Sequence, residues 1–125
     1  MFKFAGKRPD NLGVSNGKLA DCPGTPNCVS SQSDDAKFKI KPLASVTIAQ
    51  IKSAIEGMEG SKIVEEKEDY LYAEFTSKLM GYVDDVEFYA DKQTNVIQVR
   101  SASRLGKSDL GVNRQRVEAI RTKLA

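Results

Sequence analysis

The chain has 125 residues, of which 40% are hydrophobic and 29% charged, and its net charge is +2. This describes one ordinary globular domain, long enough to bury roughly two-thirds of its unfolded surface, with no global attraction to nucleic acid. There is no His, which removes the usual general base and the commonest metal ligand and argues against most hydrolase and zinc-enzyme chemistry.

No apolar run reaches the ~18 residues of a membrane helix. The first residues, MFKFAGKRPDNLG, lack the ~7–15 residue apolar core of a secretory signal. The expectation is a cytoplasmic chain with no transmembrane segment. Charge is spread unevenly. Residues 65–91 hold nine acids against two lysines, a net −7, and residues 100–125 hold seven bases against two acids, a net +5. Either the two blocks neutralise each other in the fold, or the second forms a basic patch for an anionic partner.

Residues 1–36 read as an irregular segment, interrupted by Gly and Pro and packed on a single α+β domain of residues 37–125. Within it lies Cys22-Pro-Gly-Thr-Pro-Asn-Cys28, a compact turn whose ends come close. Cys22 and Cys28 are a candidate disulfide that a reducing cytosol would keep open. A redox-active pair and a metal site are the alternatives, and two ligands without His or further Cys are too few for a metal. No metal or cofactor is expected.

Residues 37–43 alternate Lys37, Lys39, Lys41 with Phe38, Ile40, Pro42, the period of a half-buried edge strand. A helix follows. Thr47 and Gln50 have capping-box spacing, and Ile48, Ile51, Ile55 and Met58 form one stripe that Gly57 or Gly60 can end. Four strands come next, at residues 62–67, 70–77, 83–90 and 96–104. In the second, Tyr70, Tyr72, Glu74 and Thr76 share one face and Leu71, Ala73 and Phe75 the other. The last element is a helix over about residues 110–124, with Ser108 or Asp109 as N-cap and Leu110, Val117, Ile120 and Leu124 as core stripe. Strand, helix, four strands, helix gives an α+β fold: an antiparallel sheet with helices on one face, in the element order of TBP-like or helix-grip folds.

Pairing the last two strands across residues 91–95 sets Phe88 beside Val99, Glu87 beside Arg100 and Val86 beside Ser101. Val86, Phe88, Ile97 and Val99 then face the helices, and Asp85, Glu87, Gln98, Arg100 and Arg104 face away from them. A slip of one residue would bury the charges, so the register is well specified. Asp84 and Asp85 look like a catalytic acid pair, but strand neighbours point to opposite faces. Arg100 and Arg104 stand ~13 Å apart along a strand and do not fork one phosphate. Arg100 reads as the cross-strand partner of Glu87, worth up to ~1 kcal/mol.

Two surfaces remain as candidates. The corner of residues 101–114 leads into a helix N-terminus, where anions bind. Arg104, Lys107, Ser108, Asn113 and Arg114 are its candidate anion- or partner-binding residues, with simple helix capping as the plainer reading. The link between the second and third of the four strands is apolar at Leu79, Met80 and Tyr82. These either tuck under the helices or form a contact tip for protein or lipid.

Four stretches carry a family resemblance: Arg8-Pro-Asp-Asn-Leu-Gly-Val14; Cys22 to Gln32; Ala73 to Tyr89; and Val99 to Val117. They resemble the bacterial and plastid family known as domain of unknown function 1499, in its short cyanobacterial and plastid type. The resemblance carries no activity and no catalytic residue, and it implies a setting near photosynthetic (thylakoid) membranes. The leading expectation is a non-catalytic binding or assembly domain with a protein partner, with peripheral membrane contact as one form of that role. Alternatives are a protein binding a small anionic, lipid-like ligand between sheet and helices through Arg104 or Arg114, and a thiol-redox protein using the Cys pair. Nucleic acid is disfavoured by the acids on the sheet's outer face.

Overall fold

The computed structural model describes residues 4–106 and 108–125. Its elements are β1 (Cys28–Ser30), α1 (Ile48–Glu56), β2 (Ser61–Glu66), β3 (Tyr70–Thr76), β4 (Val83–Asp91), β5 (Val96–Ser103) and α2 (Val112–Leu124). The five strands form one antiparallel sheet in the order β1-β5-β4-β3-β2. The fold class is α+β, as the element pattern predicts.

Local chemistry explains most of these elements. Thr47 Oγ1 accepts from the Gln50 N–H (3.1 Å) and Gln50 Oε1 accepts from the Thr47 N–H (2.9 Å), the reciprocal cap anticipated from spacing. Ile48, Ile51 and Ile55 of α1 are buried. They pack with Val117 and Ile120 of α2 on Leu71, Ala73, Phe75, Val86, Phe88 and Val99 of the sheet. The β4–β5 register is the one read from the pattern: Phe88 opposite Val99, Glu87 opposite Arg100, Val86 opposite Ser101.

Three expectations are corrected. The strand over residues 37–43 does not form. Its alternation of exposed lysines with buried Ile40 is present, yet the segment enters the sheet only through isolated bridges of Lys39 to Ser30 and Leu43 to Ile97. Its carbonyls go to α2 instead. Arg114 donates to the Lys39 and Lys37 carbonyls (2.8 and 3.1 Å), and Arg121 to those of Pro42 and Lys41 (2.8 and 2.6 Å). Guanidinium forks thus satisfy a backbone that a ladder would otherwise serve. The first strand is Cys28–Ser30, paired with β5.

Leu110 is not in the core stripe of α2. It is 89% exposed, because the helix begins two residues later, behind Gly111 in the left-handed conformation. The outer face of the sheet is also not a solvent face. Asp85, Glu87 and Arg100 are buried there beneath residues 8–21, with Leu19, Tyr70 and Tyr72 forming a second apolar cluster.

Cys22 and Cys28 are joined as a disulfide, with their Cα atoms 5.6 Å apart. Among the described residues no helix is long and apolar enough to cross a membrane.

Gly60 and Gly17 give a paired test of backbone constraint. Both have positive φ, but a Cβ on Gly60 meets the Thr76 carbonyl oxygen while one on Gly17 meets nothing. Gly17→Ala is expected to lose about 1 kcal/mol from strain alone. Gly60→Ala is expected to lose about 3 kcal/mol, since the overlap with backbone adds to that strain. Urea denaturation of the two variants measures the difference.

Candidate functional site

The acidic and basic blocks meet across the sheet. Arg104, just past β5, lies on the outer face. Its Nε donates to Asp85 Oδ2 (2.9 Å), and its Nη2 donates to Asp85 Oδ1 (2.9 Å) and Glu74 Oε2 (2.6 Å). The Tyr72 hydroxyl donates to Asp85 Oδ1 (2.5 Å). Arg8 reaches across from the N-terminal segment to Glu74 Oε2 (2.6 Å). Hydrogen bonding to Asp85 pushes the Arg104 guanidinium's pKa up. Burial would raise the Glu74 carboxyl, but hydrogen bonds from Arg8 and Arg104 outweigh it and hold that carboxyl below its usual range.

Asp84 faces the other way. It pairs with Arg116 of α2 (2.7 Å), whose guanidinium lies 4.9 Å from the Phe75 ring centre. The two aspartates therefore sit in separate environments, as strand geometry requires.

Beside the Arg104 cluster is a second pair of charges, less well matched. Glu87 Oε2 accepts from the Tyr70 hydroxyl (2.5 Å) and the Gly13 N–H (2.7 Å). The Arg100 Nη1 stands 3.9 Å from Glu87 Oε1, too far for a hydrogen bond. Glu87 Oε1 and Arg100 Nε are buried with no hydrogen-bond partner among the described residues. Burial pushes the Glu87 carboxyl up, against the pull of Tyr70, Gly13 and Arg100, and pushes the Arg100 guanidinium down.

The corner is held by a polar hub on buried Asn113. Ser101 Oγ donates to Asn113 Oδ1 (2.6 Å), and Asn113 Nδ2 donates to Asp109 Oδ2 (2.7 Å) and the Asn27 carbonyl (3.2 Å). Asp109 accepts from the N–H groups of Gly111 (2.8 Å) and Asn113 (3.1 Å), so a carboxylate already sits at the start of α2. Ser108 and Arg114 line a cleft of about 190 Å³ with Asp109 and Lys37. Arg104 is turned onto the outer face, away from this cleft. Lys107 lies outside the described residues. Among the described residues, Arg104 is thus not brought together with Ser108 and Arg114. Nor is the space between sheet and helices open: Ile51, Ile55, Leu71, Val86, Phe88, Val99, Val117 and Ile120 fill it with no measurable exposure.

The apolar link is exposed. Leu79 is 90% exposed, and Met80 and Tyr82 are exposed beside it. β4 starts where β5 ends, with Asp84 opposite Ser103 and the Arg104 N–H donating to the Val83 carbonyl (3.2 Å). The link and the corner therefore leave the sheet at the same end. Phe4 stacks on Tyr82 with ring centres 5.0 Å apart, and Gly6 lies against Leu105. Exposed Leu105, Leu110 and Val112 extend the apolar surface along the corner. Leu105 and Val112 carry no signal that the sequence pattern singles out, and Leu110 is the residue that the pattern assigns to the core stripe.

Residues 18–124 match the family model described as a protein of unknown function (DUF1499). No curated protein and no solved structure matches the chain.

Two variants probe the outer face. Arg104→Met leaves buried Asp85 without its cation and half-buried Glu74 with Arg8 alone, and is expected to cost about 3 kcal/mol in denaturant unfolding. For Glu87, the folded carboxyl titrates above its unfolded value, so in that window the native state holds more protons. Stability of the natural chain relative to Glu87→Gln is therefore highest below about pH 4.5, falls as pH rises through the folded value, and is constant above it. Urea titrations of both proteins across pH 4–7 check the sign.

Proposed function

Since the chain belongs to this family of proteins of unknown function, we propose from its geometry that it is a binding or assembly domain for a protein partner. Its contact surface is the sheet end formed by the link at residues 77–82 and the corner at residues 104–106 and 108–112. The carrying observation is that exposed Leu79, Met80, Tyr82, Leu105 and Leu110, with Val112 at the start of α2, lie on a link and a corner that leave the sheet at the same end. Single exposed apolar residues are ordinary, whereas several at one end of a sheet suit an interaction surface. Lys78, fully projecting beside Leu79, supplies charge at its rim, the composition of an apolar contact bordered by polar groups. The likeness of the motifs to the cyanobacterial and plastid type supports a partner at the photosynthetic membrane.

A photo-crosslinking residue at position 79, in the otherwise natural chain and its native cell, is expected to give a discrete protein adduct. The same residue at position 93, exposed on the opposite end of the sheet, is expected to give none. Leu79→Asp removes a side chain worth ~1.5–3 kcal/mol when buried by a partner, so association weakens ~10–100-fold. Folding stability should stay within ~0.5 kcal/mol, because the residue is exposed. Equal adducts from positions 79 and 93, or none from 79, defeat the contact reading.

A further inference from the structure

The sheet's outer face is closed by a strap, residues 8–21, that has little structure of its own. Its internal backbone bonds join Ser15 and Lys18 across one turn. Its ties to the rest of the chain are few: Arg8 on Glu74, the Gly13 N–H on Glu87, the Leu19 N–H and Gly17 carbonyl on Gln32, and the Asp21 carbonyl on Arg100 at 3.3 Å. Leu19 and Leu12 are its apolar anchors. It contributes no side chain to the core between sheet and helices. The strap ends at Cys22, and the disulfide binds that end to Cys28, the first residue of β1.

The two halves of the disulfide are held unequally. Cys28 is buried and paired with Ala102. Asn27 before it donates to the Gly106 carbonyl (2.7 Å), and its own carbonyl accepts from the Ser103 N–H (2.9 Å). Cys22 is half-buried, between exposed Asp21 and exposed Pro23, and its sulfur link is its tether to the sheet. What the strap covers also resists being covered. Glu87 Oε1 and Arg100 Nε lie beneath it as buried polar atoms without hydrogen-bond partners, a desolvation cost that water would remove if the strap lifted.

We propose that the Cys22–Cys28 disulfide is a latch: a dithiol reductant opens it, the strap leaves the outer face, and the charged surface of Glu74, Asp85, Glu87, Arg100 and Arg104 is uncovered while the helix-side core stays folded. A thiolate of the reductant attacks Cys22 Sγ, the more accessible sulfur, and Cys28 leaves as a thiolate that takes a proton. The second thiol of the reductant then displaces Cys22 from the mixed disulfide. Two electrons pass to the protein, which gains two thiols, and the reductant ends as its own disulfide. A reducing compartment would open the latch and an oxidising one would hold it shut. This inference stands apart from the contact surface at the sheet end.

Hydrogen–deuterium exchange of the full natural chain, oxidised and then reduced with dithiothreitol, tests it. The gain of two hydrogens by intact mass certifies reduction. Peptides within residues 8–21 are expected to exchange at least about tenfold faster when reduced, the scale set by releasing a short closed loop. Amides of β3, β4 and β5 should keep their protection. Cys22→Ser/Cys28→Ser should show the fast strap without reductant and no further change with it. The latch is refuted if the reduced strap exchanges as slowly as the oxidised one, or if strap and sheet lose protection together, since the bond is then a staple of the whole fold.

Discussion

A sheet that is buried on both faces yet gathers most of its charge on one of them is the constraint that shapes this molecule. Arg104 meets it by donating to Asp85 and Glu74 at once, with Tyr72 and Arg8 taking up remaining acceptor sites. Buried charge is tolerated when its hydrogen bonds are made, and here nearly all are. Two elements of the chain make sense only as parts of that arrangement. One is the exposed Arg8, which closes the cluster from above. The other is the run Tyr70-Leu71-Tyr72, which places hydroxyls among the carboxylates and apolar side chains on the opposite face.

The same economy of arginines appears on the helix side. Arg114 and Arg121 stand seven residues apart on α2 and grip the carbonyls of residues 37–42. Arg116 between them turns to Asp84. The basic C-terminal block is thereby committed to the fold along most of its length: Arg100 and Arg104 beneath the strap, Arg114 and Arg121 on backbone, Arg116 on a strand acid. Among the described residues, a block of positive sequence charge has largely become internal bonding.

What could be read from the chain beforehand follows how local each signal is. The α1 cap, the Ile stripe, the β4–β5 register and the separation of Asp84 from Asp85 depend on neighbours within a few residues or one hairpin, and all are as the pattern implies. Period-two alternation reports burial, and residues 37–43 have that burial without a ladder, so the pattern and the structure differ on the first strand. Leu110 was misread as core because Gly111 delays the helix start. The sequence expectation packs residues 1–36 on the domain without placing them on the outer face, although a signal for that exists. β3 reads Tyr-Leu-Tyr-Ala-Glu-Phe, nearly continuous in apolar character, and such strands are buried on both sides. The segment that covers it has no period at all, so its place is set by long-range contacts to Glu74 and Glu87.

These closures bear on where a partner can dock. One face of the sheet is filled by α1 and α2, and the other is sealed by residues 8–21. The β2 edge carries exposed Lys62, Glu65 and Glu66 and a register shift between Ile63 and Glu65, features that discourage strand addition. The β1 edge is only three residues long, and Lys39 already bridges to it. Docking by sheet extension or across a sheet face is therefore blocked in the oxidised chain. The sheet end is different. Leu79 and Leu110 stand there almost fully in water, and neither serves the core, a cap or an ion pair. Apolar side chains in that position weaken solubility without strengthening the fold, which is why the proposed contact surface is placed at this end.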